Sequence, residues 1–249
     1  MKGLSGWAIV CVLFCLVLSA CGGGTEKIQV ATDANWPPFE MLDPQSNQIV
    51  GFDIDLMNAI AAKEGLQVEY VNIAFGALMA GMAQCQYDAA ISVITITDER
   101  KKDMLFSEPY FVTGQVLTVQ ADNTDISSVA DLPGKVVGAQ VDTTGLDEAN
   151  KITGATINTY DDINQAFGDL MSGQLNAVIV DQPLALVYVN QNADKLKIVG
   201  NVLTVEPYGI AVCKTNTRLL EKINEGLAAI QAEGLIADLE QKWFGGAVK

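Results

Sequence analysis

The chain has 249 residues, with 30 acidic and 15 basic side chains and a formal net charge of −15 at pH 7. This excess of negative charge argues against binding to nucleic acid and against electrostatic attraction to anionic lipid, because both partners are also negative. The sequence has no histidine, which excludes Ser-His-Asp and Cys-His catalysis, imidazole general bases and histidine metal ligands.

The first segment of the chain is predicted to be an export signal. Met1 and Lys2 give a short positive start, and an apolar run extends from residue 7 to residue 18. This run is short for a bilayer span, although a plain transmembrane anchor is the alternative. The sequence Leu-Ser-Ala-Cys that ends at Cys21 resembles the processing site of bacterial lipoproteins. We therefore expect residues 1–20 to be removed, Cys21 to be lipidated, and residues 21–25 to form a flexible tether.

Strand-like and helix-like segments alternate after the tether. Strands are predicted at residues 27–32, 67–72 and 88–93, with helices at residues 52–64 and 76–84 between them. The first helix carries Ile54, Met57, Ile60 and Ala61 on one face, as expected for a helix that packs on a sheet. This order predicts a mainly parallel sheet with helices on both sides.

The same alternation begins again in the second half. Strands are predicted at residues 135–139, 156–160, 177–180 and 208–212, and helices from residue 144, at 162–172, 183–191 and 217–233, and around Trp243. We therefore predict an α/β fold of two lobes, each a mainly parallel sheet flanked by helices. Lobe 1 comprises residues 26–112 and 206–249, and lobe 2 comprises residues 113–205. Crossings near residues 110–114 and 204–208 would form a two-strand hinge.

The sequence lacks the common motifs that bind cofactors or metals. The sequence has no Cys-x-x-Cys pair, no Gly-x-Gly-x-x-Gly and no Walker-type phosphate loop, so we expect no cofactor and no metal. Cys85 and Cys213 remain after the predicted signal. Export would permit a disulfide between them, but two separate buried thiols are preferred.

Seven segments carry a family resemblance through their order and spacing. They are residues 31–39 (ATDANWPPF), 51–56 (GFDIDL), 95–102 (TITDERKK), 106–110 (FSEPY), 142–145 (DTTG), 180–183 (VDQP) and 242–245 (KWFG). Together they resemble the polar amino-acid-binding proteins of bacterial ABC importers, the family 3 solute-binding proteins. The resemblance covers nearly all of the mature chain. It implies a type II periplasmic-binding-protein-like fold, a free amino acid as ligand, an ABC permease as partner, an extracytoplasmic location and no enzymatic activity. We expect a monomer.

A free amino acid needs a cation and donors for its carboxylate. A guanidinium binds both carboxylate oxygens in one plane, and the resemblance implies this role for Arg100. The alternative for Arg100 is a surface arginine in a charged turn. Thr143 and Thr144 open a predicted helix, where backbone N–H groups favour an anion. We expect Thr143 to cap this helix and Thr144 to contact the ligand.

The ligand ammonium needs an anion and acceptors. Asp181 ends an apolar strand at its carboxyl end, and the resemblance implies that it pairs with the ammonium; a helix cap before Pro183 is the alternative. Thr95 can accept from the ammonium and donate to a carboxylate, and the resemblance favours this role over the alternative of an ordinary strand residue. Val93 stands where the family usually has a small residue, so we expect it to narrow the pocket and to contact the ligand mainly through its backbone.

Residues of lobe 1 are expected to select the ligand side chain. Asp33, Trp36 and Phe75 each follow a predicted strand, and the two aromatic rings could enclose a flat or cationic group, unless they are core residues. With Arg100 and Asp181 offsetting the ligand termini, Asp33 is an additional negative charge, and a buried unpaired charge is costly. This predicts arginine or lysine, with arginine ahead, and glutamine as the rival ligand.

Two other functional classes remain open from the sequence. An exported dehydratase of the same fold, acting on a cyclic carboxylate, would keep Arg100 but would not need Asp181. A sensor module would need a separate kinase or chemoreceptor partner.

Overall fold

The computed structural model describes residues 26–245, so the predicted signal, the lipidation site at Cys21 and the tether lie outside the described residues. In chain order, the strands are β1 (Glu26–Thr32), β2 (Asn35–Trp36), β3 (Glu40–Leu42), β4 (Ile49–Val50), β5 (Leu66–Asn72), β6 (Ala89–Ala90), β7 (Met104–Phe106), β8 (Phe111–Thr113), β9 (Gln115–Gln120), β10 (Val136–Gln140), β11 (Thr156–Tyr160), β12 (Ala177–Asp181), β13 (Leu196–Val199), β14 (Glu206–Tyr208) and β15 (Ala211–Cys213). The helices are α1 (Phe52–Glu64), α2 (Phe75–Ala83), α3 (Thr144–Asn150), α4 (Ile163–Met171), α5 (Gln182–Gln191), α6 (Thr217–Ala232) and α7 (Leu235–Phe244). Within residues 26–245, no helix combines the length and apolar character that crossing a membrane requires.

Lobe 1 is built on a five-stranded sheet in the order β5-β1-β6-β15-β7. β1 pairs in parallel with β5 and β6, whereas β15 pairs antiparallel with β6 and β7. Helices α6 and α7 pack on α1. The predicted apolar face of α1 is buried, with Ile54, Met57, Ile60 and Ala61 all inside. Burial of this face holds the helix layer on the lobe.

Lobe 2 repeats the same plan in the order β11-β10-β12-β9-β13. β10 pairs in parallel with β11 and β12, and β9 pairs antiparallel with β12 and β13. The predicted two-lobe α/β fold is therefore confirmed, and each sheet consists of three parallel strands, one antiparallel strand beside them, and a fifth strand that pairs antiparallel with the fourth. In each lobe the strand at the fourth position of the sheet, β15 in lobe 1 and β9 in lobe 2, comes directly after the chain has crossed from the other lobe.

The hinge consists of β8 and β14, which pair antiparallel with Thr113 opposite Glu206. At Gly114 a side-chain Cβ would lie 2.2 Å from the carbonyl oxygen of Thr204, so the two crossings can run this close only with glycine there. Both crossings lie where they were predicted. The single strand predicted at residues 208–212 is instead two strands, because the chain leaves the hinge at Gly209 before it enters the lobe 1 sheet.

A small three-stranded sheet, β2-β3-β4, joins β1 to α1 and was not predicted. Gly51 follows it with a φ of 146°, and a Cβ there would lie 1.9 Å from the carbonyl oxygen of Phe39. The first turn of α1 therefore approaches the preceding loop closely, and the backbone N–H of Asp53 donates to the Phe39 oxygen at 3.0 Å. This contact brings Asp53 next to Glu40.

The two remaining cysteines, Cys85 and Cys213, form a disulfide with their Cα atoms 4.9 Å apart. The expectation of two separate thiols is wrong, because the segment after α2 lies beside the end of β15. Their separation of 128 residues in sequence concealed this proximity. The bond ties together the early and late parts of lobe 1.

Candidate ligand-binding site

A small cavity lies between the two lobes, with a volume of about 10 Å³ accessible to the centre of a water-sized sphere. Its wall consists of eight residues: Trp36, Phe75, Val93, Thr95 and Arg100 from lobe 1, and Thr143, Thr144 and Asp181 from lobe 2. All of the contact residues predicted from the sequence lie in this wall except Asp33. They come from strand ends and helix starts, which is where parallel sheets present ligand sites.

Arg100 is the basic residue of this wall. Its guanidinium donates to the carbonyl oxygen of Thr95 at 2.9 Å and to the carbonyl oxygen of Asp142 at 2.8 Å. The second bond crosses from lobe 1 to lobe 2. Arg100 is therefore not a freely exposed arginine, because backbone carbonyls of both lobes fix its orientation toward the cavity.

The carboxylates around Arg100 outnumber the positive charge. Burial lowers the pKa of Arg100 from its ordinary value, while the charges of Asp181, Asp147 and Glu206 act in the opposite direction. A guanidinium remains charged throughout the accessible pH range. The surroundings of the cavity are consequently net negative.

Asp181 is the last residue of β12 and is buried, with 6% of its surface exposed. It makes no side-chain cap on α5, which argues against the helix-cap alternative. Instead, the hydroxyl of Tyr208 donates to its carboxylate at 2.5 Å. Burial raises the pKa of Asp181 to about 6, although the Tyr208 bond acts against this rise. A cation in the cavity would relieve the cost of keeping Asp181 ionised.

The two threonines at the start of α3 have different contacts. The hydroxyl of Thr143 accepts from the backbone N–H of Leu146 at 3.2 Å, so Thr143 caps the helix. The hydroxyl of Thr144 donates to Glu206 at 3.0 Å and accepts from the amide of Gln115 at 3.0 Å. Thr144 therefore lines the cavity while its hydroxyl is engaged by the first residue of β14 and the first residue of β9.

The two aromatic residues of the wall are held differently. Trp36 donates its indole N–H to the side-chain oxygen of Gln140 at 2.9 Å, which joins the two lobes. The ring of Phe75 lies 5.6 Å from the guanidinium carbon of Arg100. The ring of Phe75 is therefore already placed next to the positive charge of Arg100.

Asp33 lies behind the wall of the cavity rather than in it. One oxygen of its carboxylate accepts from the backbone N–H of Phe75 at 3.1 Å and from the amide of Gln140 at 3.1 Å. Burial raises its pKa to about 6, while the bond from Gln140 acts in the opposite direction. The carboxylate therefore positions Phe75 and Gln140, and it can act on a ligand through its charge.

Val93 and Thr95 form the part of the wall next to the lobe 1 sheet. Val93 has a φ of 43°, which is unusual for a β-branched residue. Thr95 forms an isolated β-bridge with Tyr208, close to the hinge strand β14. Both residues are thus fixed through their backbones, which leaves their side chains at the cavity.

Several functional residues were missed by the sequence analysis. Gln140 ends β10 at the edge of the sheet where Asp181 ends β12, so the strand-end rule could have identified it had the strand not been predicted to stop at residue 139. Glu206 is buried in the hinge strand, and Tyr208 follows two residues later. Neither carries a sequence signal for a cavity contact.

Comparison with known proteins gives a consistent result. The family model for bacterial extracellular solute-binding proteins, family 3, matches residues 28–246. ABC transporter arginine-binding protein 1 of Escherichia coli (strain K12) is 34% identical over 244 residues, covering 94% of this chain and 98% of the relative. The L-cystine-binding protein TcyJ of the same organism is 30% identical over 221 residues, covering 88% and 83%.

Solved structures that are similar to this chain are also those of amino-acid-binding proteins. An ancestral arginine-binding protein bound to arginine has a TM-score of 0.84 and 41% identity, covering 88% of this chain and 98% of the other. An ancestral arginine-binding protein bound to glutamine has a TM-score of 0.83 and 42% identity with the same coverage. An ancestral amino-acid-binding protein, a precursor of cyclohexadienyl dehydratase, has a TM-score of 0.81 and 35% identity, covering 88% and 95%.

Proposed function

The chain belongs to family 3 of the bacterial extracellular solute-binding proteins, and from this membership we propose that it captures a free basic amino acid, arginine ahead of lysine, and delivers it to an ABC permease. One observation supports the proposal above all others. Arg100 and Asp181 come from opposite lobes and line the same cavity between them. A guanidinium suits the carboxylate of a free amino acid, and a carboxylate suits its ammonium.

The choice of a basic amino acid rests on the balance of charge. Arg100 offsets the ligand carboxylate, and Asp181 offsets the ligand ammonium. Asp33 is buried directly behind Phe75, and Glu206 is buried behind Thr144. Buried carboxylates without a cation are costly, and a cationic ligand side chain lowers that cost through its charge.

The transport cycle follows from the hinge. The open protein binds the amino acid on one lobe, and contacts from the other lobe stabilise the closed state. Only contacts that differ between the open and closed states can shift this equilibrium. The closed form docks on the permease, and opening there releases the amino acid.

Competitive calorimetry with arginine, lysine, histidine and glutamine tests the charge argument. We expect arginine to bind most tightly, lysine next, and the two uncharged competitors at least tenfold more weakly at pH 7.5. Glutamine binding far more tightly than arginine would overturn the assignment of a basic ligand. It would leave amino-acid capture itself intact.

Glutamine is the second candidate, because one similar structure is that of an ancestral arginine-binding protein bound to glutamine. A dehydratase is the third, because another similar structure is an ancestral precursor of cyclohexadienyl dehydratase. Asp181 favours binding over dehydration, since a cyclic carboxylate has no ammonium to pair with it. Thermal stabilisation by an amino acid without turnover separates a binding protein from an enzyme.

We also propose that Cys21 anchors the protein to the membrane through lipid. The support is the sequence Leu-Ser-Ala-Cys after an apolar run. Metabolic labelling with a fatty acid should label the wild type and leave a Cys21→Ser variant unlabelled. Equal release of both proteins into the aqueous fraction would contradict the anchor.

A further inference from the structure

Two fully buried carboxyl groups, Glu40 and Asp53, lie side by side behind the cavity wall. Glu40 begins β3 and Asp53 lies in the first turn of α1. The tight approach at Gly51 brings the two segments together. Neither residue lines the cavity, and the transport cycle described above uses neither.

The hydrogen bonds of this pair are unevenly distributed. One oxygen of Glu40, Oε1, accepts from the hydroxyl of Ser92 at 2.9 Å. One oxygen of Asp53, Oδ2, accepts from the backbone N–H of Val93 at 3.0 Å and from the hydroxyl of Tyr110 at 2.9 Å. The other two oxygens, Glu40 Oε2 and Asp53 Oδ1, are buried without a hydrogen-bond partner.

No positive charge compensates the pair within residues 26–245, since none of the ion pairs there includes Glu40 or Asp53. The charge of Asp33 is also close and acts against ionisation of Glu40. Two adjacent ionised carboxylates in such a place are costly. A single proton between the two unpartnered oxygens removes one charge and gives both oxygens a hydrogen bond.

The proton belongs on Glu40. Burial and the charge of Asp53 raise the pKa of Glu40 well above its ordinary value. Burial also raises the pKa of Asp53, to about 7, but the bonds from Val93 and Tyr110 act in the opposite direction. Asp53 therefore remains the anion that accepts hydrogen bonds, and Glu40 becomes the donor.

We propose that Glu40 and Asp53 share one proton and act together as positioning residues of the amino-acid site. The inference rests on the proposed function, because the residues that the pair positions are those that face the amino acid. It extends the site to a second layer of residues behind the wall.

Val93 is the residue through which this positioning acts. A β-branched residue at positive φ is strained and persists only where its surroundings impose that conformation. Asp53 imposes it by accepting the N–H of Val93. Next to it, the Ser92 hydroxyl donates to Glu40 and accepts the N–H of Asp33 at 3.0 Å. The pair thus holds the ends of β1 and β6 in register at the cavity.

Amide substitutions test the shared proton, because an amide N–H₂ can replace the proton on one side only. In Glu40→Gln, the new N–H₂ faces the free oxygen of Asp53. In Asp53→Asn, the new N–H₂ faces the free oxygen of Glu40. In the double variant, two N–H₂ groups face each other, because Ser92 and Val93 hold the two carbonyl oxygens in place.

We expect each single variant to fold and to bind arginine within about fivefold of the wild type, since an amide-to-carboxylate hydrogen bond replaces the acid-to-carboxylate bond and the charge of the pair stays the same. The double variant should lose at least tenfold more affinity than the two single changes predict together. A folded double variant with wild-type affinity would overturn the positioning role. If the double variant does not fold, Glu40→Met takes its place, because methionine keeps the volume of the side chain but removes the hydrogen-bond donor. Loss of arginine affinity in Glu40→Met would support the positioning role, and wild-type affinity would overturn it.

Infrared spectroscopy tests the proton directly and needs no amino acid. At pH 8 the wild type should show the carbonyl stretch of a protonated carboxyl group, and the Glu40→Gln variant should lack it. Absence of this band in the wild type would overturn the shared proton. A wild-type protein that does not bind arginine would count against the proposed function instead, and the infrared band would still decide on the proton.

Discussion

The two lobes share a sheet topology but contribute different chemistry to the cavity. Lobe 1 provides Arg100, both aromatic rings and the strained backbone at Val93, and buried carboxyl groups behind the wall hold Phe75 and Val93. Lobe 2 provides Asp181 and two threonines, of which Asp181 and Thr144 are hydrogen-bonded to residues of the hinge strand β14. Lobe 1 therefore has the larger share of the wall.

This difference suggests an order of events. In the proposed cycle, a ligand carboxylate docks on Arg100 in the open state, because Arg100 and its carbonyl partner at Thr95 lie in the same lobe. In the same cycle, Asp181 reaches the ligand ammonium only when lobe 2 closes. Changes in lobe 1 should therefore abolish capture, whereas changes in lobe 2 should weaken closure.

The largest effect is expected for Arg100→Ala. Removing one partner of a buried charge-assisted contact costs about 2–5 kcal/mol, or roughly 30- to 5,000-fold in Kd. Calorimetry with arginine measures the loss. Arg100→Lys keeps the charge without the planar pair of donors and should recover part of it. Unchanged capture of every amino acid by the alanine variant would contradict the role of lobe 1.

Asp181→Asn should have the next largest effect. A hydrogen bond to a charged group contributes about 1.5–3 kcal/mol, which corresponds to roughly 10- to 150-fold in Kd. Stopped-flow kinetics should assign most of the change to faster dissociation, because this carboxylate acts after closure. A change confined to the association rate would argue against docking on lobe 1 first.

The pH dependence of binding should follow Asp181. Burial raises the pKa of Asp181 to about 6, and the ligand ammonium favours the ionised form. Binding therefore releases a proton near this pH, and acid opposes it. We expect a Kd about tenfold weaker at pH 5 than at pH 7 from this group. The Asp181→Asn variant is the matched control and should show a flatter profile.

Gln140→Leu should have the smallest effect. The change removes two bonds between the lobes, to Trp36 and to Asp33, but leaves the cavity wall in place. Bonds of this kind contribute about 0.5–1.5 kcal/mol each, so losing both corresponds to about 1–3 kcal/mol, or roughly a 5- to 150-fold loss of affinity. Small-angle scattering without ligand should show a more open average shape. An identical shape would mean that these bonds do not bias closure.

Much of the fold could be predicted because its signals are local. Helix α1 and strand β11 have the predicted bounds, since an apolar face and flanking glycine or polar residues mark them. Strand β6 was predicted over six residues but has two. The chain turns away at Val93, where a buried carboxylate fixes a positive φ that no local pattern indicates.

The site could be predicted in outline because its residues lie in motif segments at strand ends. What the sequence could not provide is the direction in which a side chain points. Asp33 stands at a strand end as Asp181 does, yet its carboxylate turns to the backbone of α2 and to Gln140. Contacts that join segments far apart in sequence, such as the disulfide and the Glu40–Asp53 pair, have no local signal.

The sheet order of lobe 1 has a consequence for biosynthesis. β15 lies between β6 and β7, so the first lobe remains incomplete until residue 213 has been translated and exported. Lobe 2, whose strands β9 to β13 are contiguous in the chain, is complete earlier. Oxidation of Cys85 with Cys213 can therefore occur natively only after both lobes are present, which makes this bond a chemical marker of finished assembly outside the cytoplasm.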